Sequence, residues 1–260
     1  MNTTPARFLK LLAIPTLSLA LALAGCNKAG NTGAAASNEA GPVPTSAAAQ
    51  AKVPAPAGKA WSDVVDVTPD GGYRMGNPDA AIKLVEYGSL SCPHCAHLAE
   101  ESFTPLVNDF VGSGRVSYEY RSFAIHAVDV PLTMLAQCAD KGAFFALVDQ
   151  LYANQTALLD RAQKGEAAAN AAAKLPDNQR FITIANALGF TDFFAQRGVP
   201  KPQAEKCLAE QKTATDIATR AQTWGNKGID STPTLFINNR KIEGATWAEV
   251  KTALQNAGAR

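Results

Sequence analysis

Cys92-Pro93-His94-Cys95 constrains this chain more than any other feature, because it stands where a strand gives way to a helix. Ile82 to Tyr87 is a short apolar β-type run, Gly88 to Ser91 breaks it, and apolar residues then recur at Ala99, Phe103, Leu106, Val107 and Phe110 with helical spacing. Cys92 is therefore expected at a helix N-terminus, with Pro93 in the first turn, where a missing N–H costs nothing. The unpaired N–H groups and the positive end of the helix dipole favour a thiolate there. Such surroundings lower a cysteine pKa from about 8.5 to between roughly 3.5 and 7.5. Cys92 is then the attacking thiol, and His94 adds to the stabilisation if it is protonated or donates an N–H to the sulfur. Two thiols at this spacing can close an exchangeable disulfide, and stabilising the thiolate makes that disulfide more oxidising.

Other uses of C-x-x-C are weaker fits. Half of a zinc site would draw on His94 and His97, but no second C-x-x-C follows and His94 lies between the cysteines. Haem attachment requires histidine after the second cysteine, and Ala96 stands there. No metal is expected.

Residues 1–25 read as an export signal, with Arg7 and Lys10 ahead of the apolar stretch Leu11 to Ala24. Leu23-Ala24-Gly25-Cys26 resembles the lipobox of bacterial lipoproteins, which implies cleavage before Cys26 and a lipid bilayer anchor on its thiol. The alternative, an uncleaved transmembrane helix, suffers from the shortness of the apolar run. Either reading places the chain in the cell envelope, on the periplasmic side. By the lipoprotein sorting pattern, Asn27 after Cys26 points to the outer membrane of a Gram-negative cell.

An oxidising compartment suits the five cysteines. With Cys26 assigned to lipid and Cys92 with Cys95 to redox chemistry, Cys138 and Cys207 remain, expected as a structural disulfide between two helical segments, Pro131 to Leu151 and Pro202 to Trp224. Two buried reduced thiols are the alternative. Residues 26–60 are rich in Ala, Gly, Pro, Ser and Asn and carry too little apolar surface to order themselves, so they read as a flexible linker.

Residues 61–260 suffice for one core domain. Val64 to Val67, Ile82 to Tyr87 and Val116 to Arg121 read as strands, and Thr234 to Asn238 with Arg240 to Glu243 as a hairpin about Asn238-Asn239. A last helix opens at Thr246, with Glu249 completing a capping box. The helical stretch at about 127–227 is too long for a loop and is expected as an inserted all-helical subdomain, its Ala-rich part at Glu166 to Lys174 being mobile. Glu86 shares a strand face with Ile82 and Leu84, which points it inward beneath the cysteines. A buried carboxylate has a raised pKa and can exchange a proton with Cys95; a solvated acid at a strand end is the alternative. Lys83, His97 and His126 read as ordinary surface or packing residues.

This order resembles the DsbA-like thiol-disulfide oxidoreductases, an α/β thioredoxin fold with a helical insertion, from about Val64 to the C-terminus. The resemblance rests on Glu86-Tyr87-Gly88-Ser89-Leu90-Ser91-Cys92-Pro93-His94-Cys95 and on Ser231-Thr232-Pro233-Thr234-Leu235-Phe236-Ile237-Asn238. It implies a cis peptide bond before Pro233, backbone groups of Thr232 offered to a bound peptide, cysteine-containing exported polypeptides as substrates, and a membrane redox partner that resets the disulfide. Disulfide donation is the first expectation, favoured by His94. Reductase or isomerase activity is the alternative left open by Thr232, and a non-catalytic peptide-binding module is the third, opposed by the intact cysteine pair. A formal net charge of +1 and the lack of a basic block give no footprint for nucleic acid. No phosphate-binding glycine loop or H-E-x-x-H is present, so no bound cofactor is implied, and a monomer is expected.

Overall fold

The computed structural model describes residues 47–260. The expected signal peptide, Cys26 and the first part of the linker lie outside the described residues.

Among the described residues six strands form one sheet: β1 Val65–Val67, β2 Tyr73–Gly76, β3 Ile82–Gly88, β4 Val116–Ser122, β5 Thr234–Ile237 and β6 Arg240–Lys241, in the order β1-β2-β4-β3-β5-β6. Only β3 and β4 pair in parallel; every other neighbour is antiparallel. The parallel pair needs a crossover, and α1, Pro93–Pro105, supplies it with a wider turn at Leu106–Val111. Ile82, Leu84, Glu86 and Gly88 of β3 are buried, so the period-two reading holds.

β2 is absent from the sequence reading. It is four residues long and its ends are Gly71-Gly72 and Gly76-Asn77-Pro78, so its turn signals swamp its period. The hairpin falls where expected, because Asn238 and Asn239 both take positive φ, 49° and 66°, as a two-residue turn of this hand demands. Its second strand stops at Lys241 rather than Glu243. Asn238 also accepts the Lys83 N–H at 2.8 Å, which ties the hairpin to the start of β3.

Between β4 and β5 the chain forms α2 Asp129–Cys138, α3 Phe144–Ala153, α4 Gln155–Ala172, α5 Asp177–Ala187, α6 Phe190–Ala195, α7 Lys201–Leu208 and α8 Gln211–Asn226. This is the α/β thioredoxin fold with a helical insertion. Each of the two long helical segments expected around Cys138 and Cys207 is broken in two. Ala139 is extended and Asp140 caps a short turn by accepting the Gly142 N–H at 2.8 Å, so α3 restarts at Phe144. Ala209 and Glu210 separate α7 from α8. The Ala-rich stretch continues α4 as helix to Ala172, packed along α5. Phe144 stacks on Tyr73 of β2 with ring centroids 3.8 Å apart, which seats the insertion on the sheet.

The closing helix, α9 Trp247–Asn256, carries the expected capping box: Thr246 accepts the Glu249 N–H, and Glu249 accepts the Thr246 N–H at 2.9 Å. Residues 47–60, assigned to the linker by composition, lie against the domain instead. Gln50 N–H donates to Gly258 O at 2.9 Å, Val53 N–H to Ser113 O at 3.0 Å, and the Trp61 indole to Val53 O at 2.7 Å. Backbone hydrogen bonds hold this strap, and a reading based on apolar side chains does not register them. Among the described residues no helix is long and apolar enough to cross a membrane.

Candidate active site

β3 ends at Gly88, where a Cβ would lie 2.5 Å from the Tyr120 ring and 2.9 Å from Glu86 Oε1, so only glycine lets the chain turn there. Four residues later Cys92 caps α1 in an extended conformation (φ −82°, ψ 120°), and Pro93 occupies the first turn. Cys92 and Cys95 are both buried and unpaired with any other cysteine. The Thr232–Pro233 peptide bond is cis, as the resemblance implies. Cys92 Sγ donates to the Thr232 carbonyl at 3.3 Å.

The two thiols have opposite tendencies. The Cys92 pKa falls to about 5, chiefly because the Cys95 thiol donates to its sulfur; burial works against this, and the Thr232 hydroxyl and the backbone N–H groups of Cys95 and His94 support it. Burial pushes Cys95 far above the ordinary thiol range, and its bond to Cys92 and the nearby Glu86 carboxylate push the same way. The surroundings thus favour a thiolate at Cys92 and a protonated thiol at Cys95.

His94 acts through its backbone rather than its ring. Its side chain is exposed, and the group it brings to the Cys92 sulfur is its backbone N–H. The reason is helical geometry, since a first-turn side chain projects outward while its N–H points back at the cap. His97 lies on the exposed face of α1 beside Glu100 and Glu101. His126 is more than a packing residue, with Nδ1 2.8 Å from Ser91 Oγ although its side chain is 60% exposed.

Glu86 is 5% exposed beneath the cysteines, and its pKa rises to about 7 through burial, opposed by a hydrogen bond from Tyr118 and reinforced by the charge of Cys92. Tyr118 Oη donates to Glu86 Oε2 at 2.6 Å. Tyr152 Oη donates to Ser89 O at 3.1 Å, so the proton in its 2.7 Å contact with Tyr120 comes from Tyr120. The sequence reading passed over Tyr118, Asp129 and Gln155, which also face this centre. Tyr118 was accessible to it: β4 pairs in register with β3, and period two puts Tyr118 on the face of Glu86.

Cys138 at the end of α2 and Cys207 in α7 form a disulfide that closes a separation of 69 residues. Among the described residues no cluster of three or more histidine, cysteine, aspartate or glutamate side chains could hold a metal ion.

A family model described as thioredoxin matches residues 68–256. The chain belongs to that family. Within the thioredoxin family it is 27% identical over 186 residues to a provisionally named protein-disulfide oxidoreductase of Rickettsia bellii, covering 70% of this chain and 63% of the relative, which is under two thirds of that protein's length. Its structure is similar to that of a protein-disulfide isomerase from Novosphingobium aromaticivorans, with TM-score 0.66 and 26% identity over 72% of this chain and 96% of that one. The fold of Wolbachia pipientis alpha-DsbA1 also matches, with TM-score 0.56 and 19% identity over 74% of this chain and 92% of that one.

Proposed function

We propose that the chain is a protein thiol-disulfide oxidoreductase whose redox centre is Cys92–Cys95, donating disulfides to cysteine-containing exported polypeptides. The observation that carries the reading is the split pair of thiols beside the cis-proline turn, one at about 5 and the other pushed upward. The name of the Rickettsia relative, a protein-disulfide oxidoreductase, supports it.

A substrate thiolate attacks Cys92 Sγ of the oxidised pair; the Cys92–Cys95 bond breaks, and Cys95 leaves with the electron pair. Glu86, poised near neutrality, delivers a proton to Cys95. A second substrate thiolate attacks the substrate sulfur of the mixed disulfide and expels Cys92 as a thiolate. The substrate is oxidised by two electrons and the pair is reduced. A membrane redox partner then returns the pair to the disulfide. Backbone groups of Thr232 and an open, largely apolar groove of about 530 Å³ lined by Phe123, Ile125, Val130, Ala221 and Ile229 supply room for an extended polypeptide.

A thiolate stabilised in the reduced form raises the potential, which favours donation. Isomerase or reductase activity is the second reading, supported by the name of the Novosphingobium structure. The reduction potential of the full-length chain against glutathione separates them. A value of roughly −120 to −180 mV supports donation, and one near −230 mV or lower supports a reductase. Cys95→Ser should accumulate mixed disulfides through Cys92, and Cys92→Ser should form none.

The reading includes export by residues 1–25, anchoring of a monomer through lipid on Cys26, and residence at the outer membrane of a Gram-negative envelope. Metabolic labelling with palmitate tests it: label should enter the chain and be lost in Cys26→Ser.

A further inference from the structure

Between β3 and α1 the backbone of residues 89–92 pairs with itself and with α1 at only two places, Cys92 N–H to Ser89 O and Ala96 N–H to Cys92 O, each at 3.2 Å, and a buried backbone group without a partner costs about 1–3 kcal/mol. Further partners come from the insertion. Asp129, the first residue of α2 and 1% exposed, accepts the Ser91 N–H at 2.9 Å and the Ser89 hydroxyl at 3.0 Å. Its carboxylate also accepts the N–H groups of Ile125 at 3.0 Å and His126 at 2.9 Å, so donors surround both oxygens. Gln155, the first residue of α4 and 5% exposed, donates its single amide nitrogen to Leu90 O at 2.9 Å and Cys92 O at 3.1 Å. These two side chains therefore grip the turn on either side of Cys92, one by its N–H and the other by its carbonyls.

We propose that Asp129 and Gln155 are positioning residues of the redox centre: by holding the backbone of residues 89–92 they place the Cys92 sulfur over the first N–H groups of α1 and against Thr232. Neither side chain touches the sulfur. Hydrogen bonds to a thiolate fade steeply with distance and angle, so a small shift of the Cys92 backbone weakens several of them together. The residue types suit the task. A glutamine amide carries two N–H groups on one nitrogen and can fork to two carbonyls, whereas a glutamate there would aim a carboxylate at two carbonyl oxygens. An aspartate can collect several N–H and O–H donors at once. On this account the helical insertion sets the oxidising strength of the pair as well as covering it.

The inference rests on Cys92–Cys95 being the redox centre. Its test uses the full-length chain, with the Cys92 thiolate titrated by ultraviolet absorbance and the pair equilibrated with glutathione at pH 7. Gln155→Met keeps the volume and deletes both donations; it should raise the Cys92 pKa by about one unit and make the pair more reducing by about tenfold in the equilibrium constant, about 30 mV. Asp129→Asn should shift both readings the same way. Leu158→Ala, one turn further along α4 and buried, loosens the same helix without reaching the turn, so it should lower the melting temperature and leave both readings at the wild-type values. A folded Gln155→Met with wild-type pKa and potential overturns the proposal even if Asp129→Asn fails to fold, and so does an equal shift in Leu158→Ala. A wild-type chain that does not equilibrate through Cys92 and Cys95 overturns the redox-centre reading and this proposal together.

Discussion

The Cys92 sulfur lies 3.3 Å from the carbonyl oxygen of Thr232, a residue 140 positions further along the chain and directly ahead of the cis proline. While Cys92 is a thiol it donates to that carbonyl, and the buried Thr232 hydroxyl has no partner. Once the sulfur is charged the carbonyl becomes a poor neighbour and the hydroxyl a good one. The residue before the proline thus meets the two protonation states of Cys92 with two different groups.

Thr232→Val keeps the backbone carbonyl and removes the hydroxyl. The Cys92 pKa should rise above about 5 by roughly half a unit to one unit, and the pair should become correspondingly more reducing. Thiolate absorbance against pH measures the first effect and glutathione equilibration the second.

Glu86 sets a pH dependence of stability. Its pKa rises from 4.5 in the open chain to about 7 in the fold, so its contribution is fully present below about pH 4.5 and is lost as pH rises through about 7. The loss amounts to about 3 kcal/mol. Glu86→Gln should flatten this part of the profile, leaving the variant more stable than wild type at pH 8 and similar to it at pH 4, as read by urea unfolding across pH. Disulfide exchange at neutral pH should slow in the same variant, because the carboxyl proposed to deliver a proton to Cys95 is gone.

Tyr118→Phe removes the hydrogen bond that holds the Glu86 pKa down. The Glu86 titration should move further above about 7, by on the order of one unit. The pH midpoint of Cys95 reactivity in the Cys92–substrate mixed disulfide should follow it upward, and an unmoved midpoint would separate Glu86 from the Cys95 proton.

Removing the Cys138–Cys207 bond by a double alanine substitution frees a separation of 69 residues in the unfolded chain. About 2–4 kcal/mol of stability should be lost, seen as a lower urea midpoint. The bond joins α2 to α7 and does not exchange with the redox pair in the proposed cycle, so the double variant, kept folded, should still form mixed disulfides through Cys92.

Much of the fold was legible because it is encoded locally. Two asparagines in succession serve a hairpin turn that needs positive φ twice, and Thr246 with Glu249 announces a helix start within four residues. Alternation along Ile82, Leu84 and Glu86 placed a carboxylate under the cysteines before any coordinate did. The misses have a common cause as well. β2 is too short to show a period, the breaks at Ala139 and Ala209 are set by caps and packing within apolar helical sequence, and the strap at 47–60 is held by backbone groups that composition does not reveal.

The chain's own order of residues determined that a cysteine pair would stand at a helix start after a buried strand, since those preferences act over a few neighbouring residues. It was the tertiary structure that decided what surrounds that pair. Thr232 reaches Cys92 across 140 residues, Gln155 reaches its carbonyl across 63, and Asp129 reaches Ser91 across 38. No local spacing encodes such contacts. They form because a parallel strand pair forces a crossover, the insertion packs its helix starts over the resulting turn, and buried polar groups of that turn must find partners wherever the folded chain provides them.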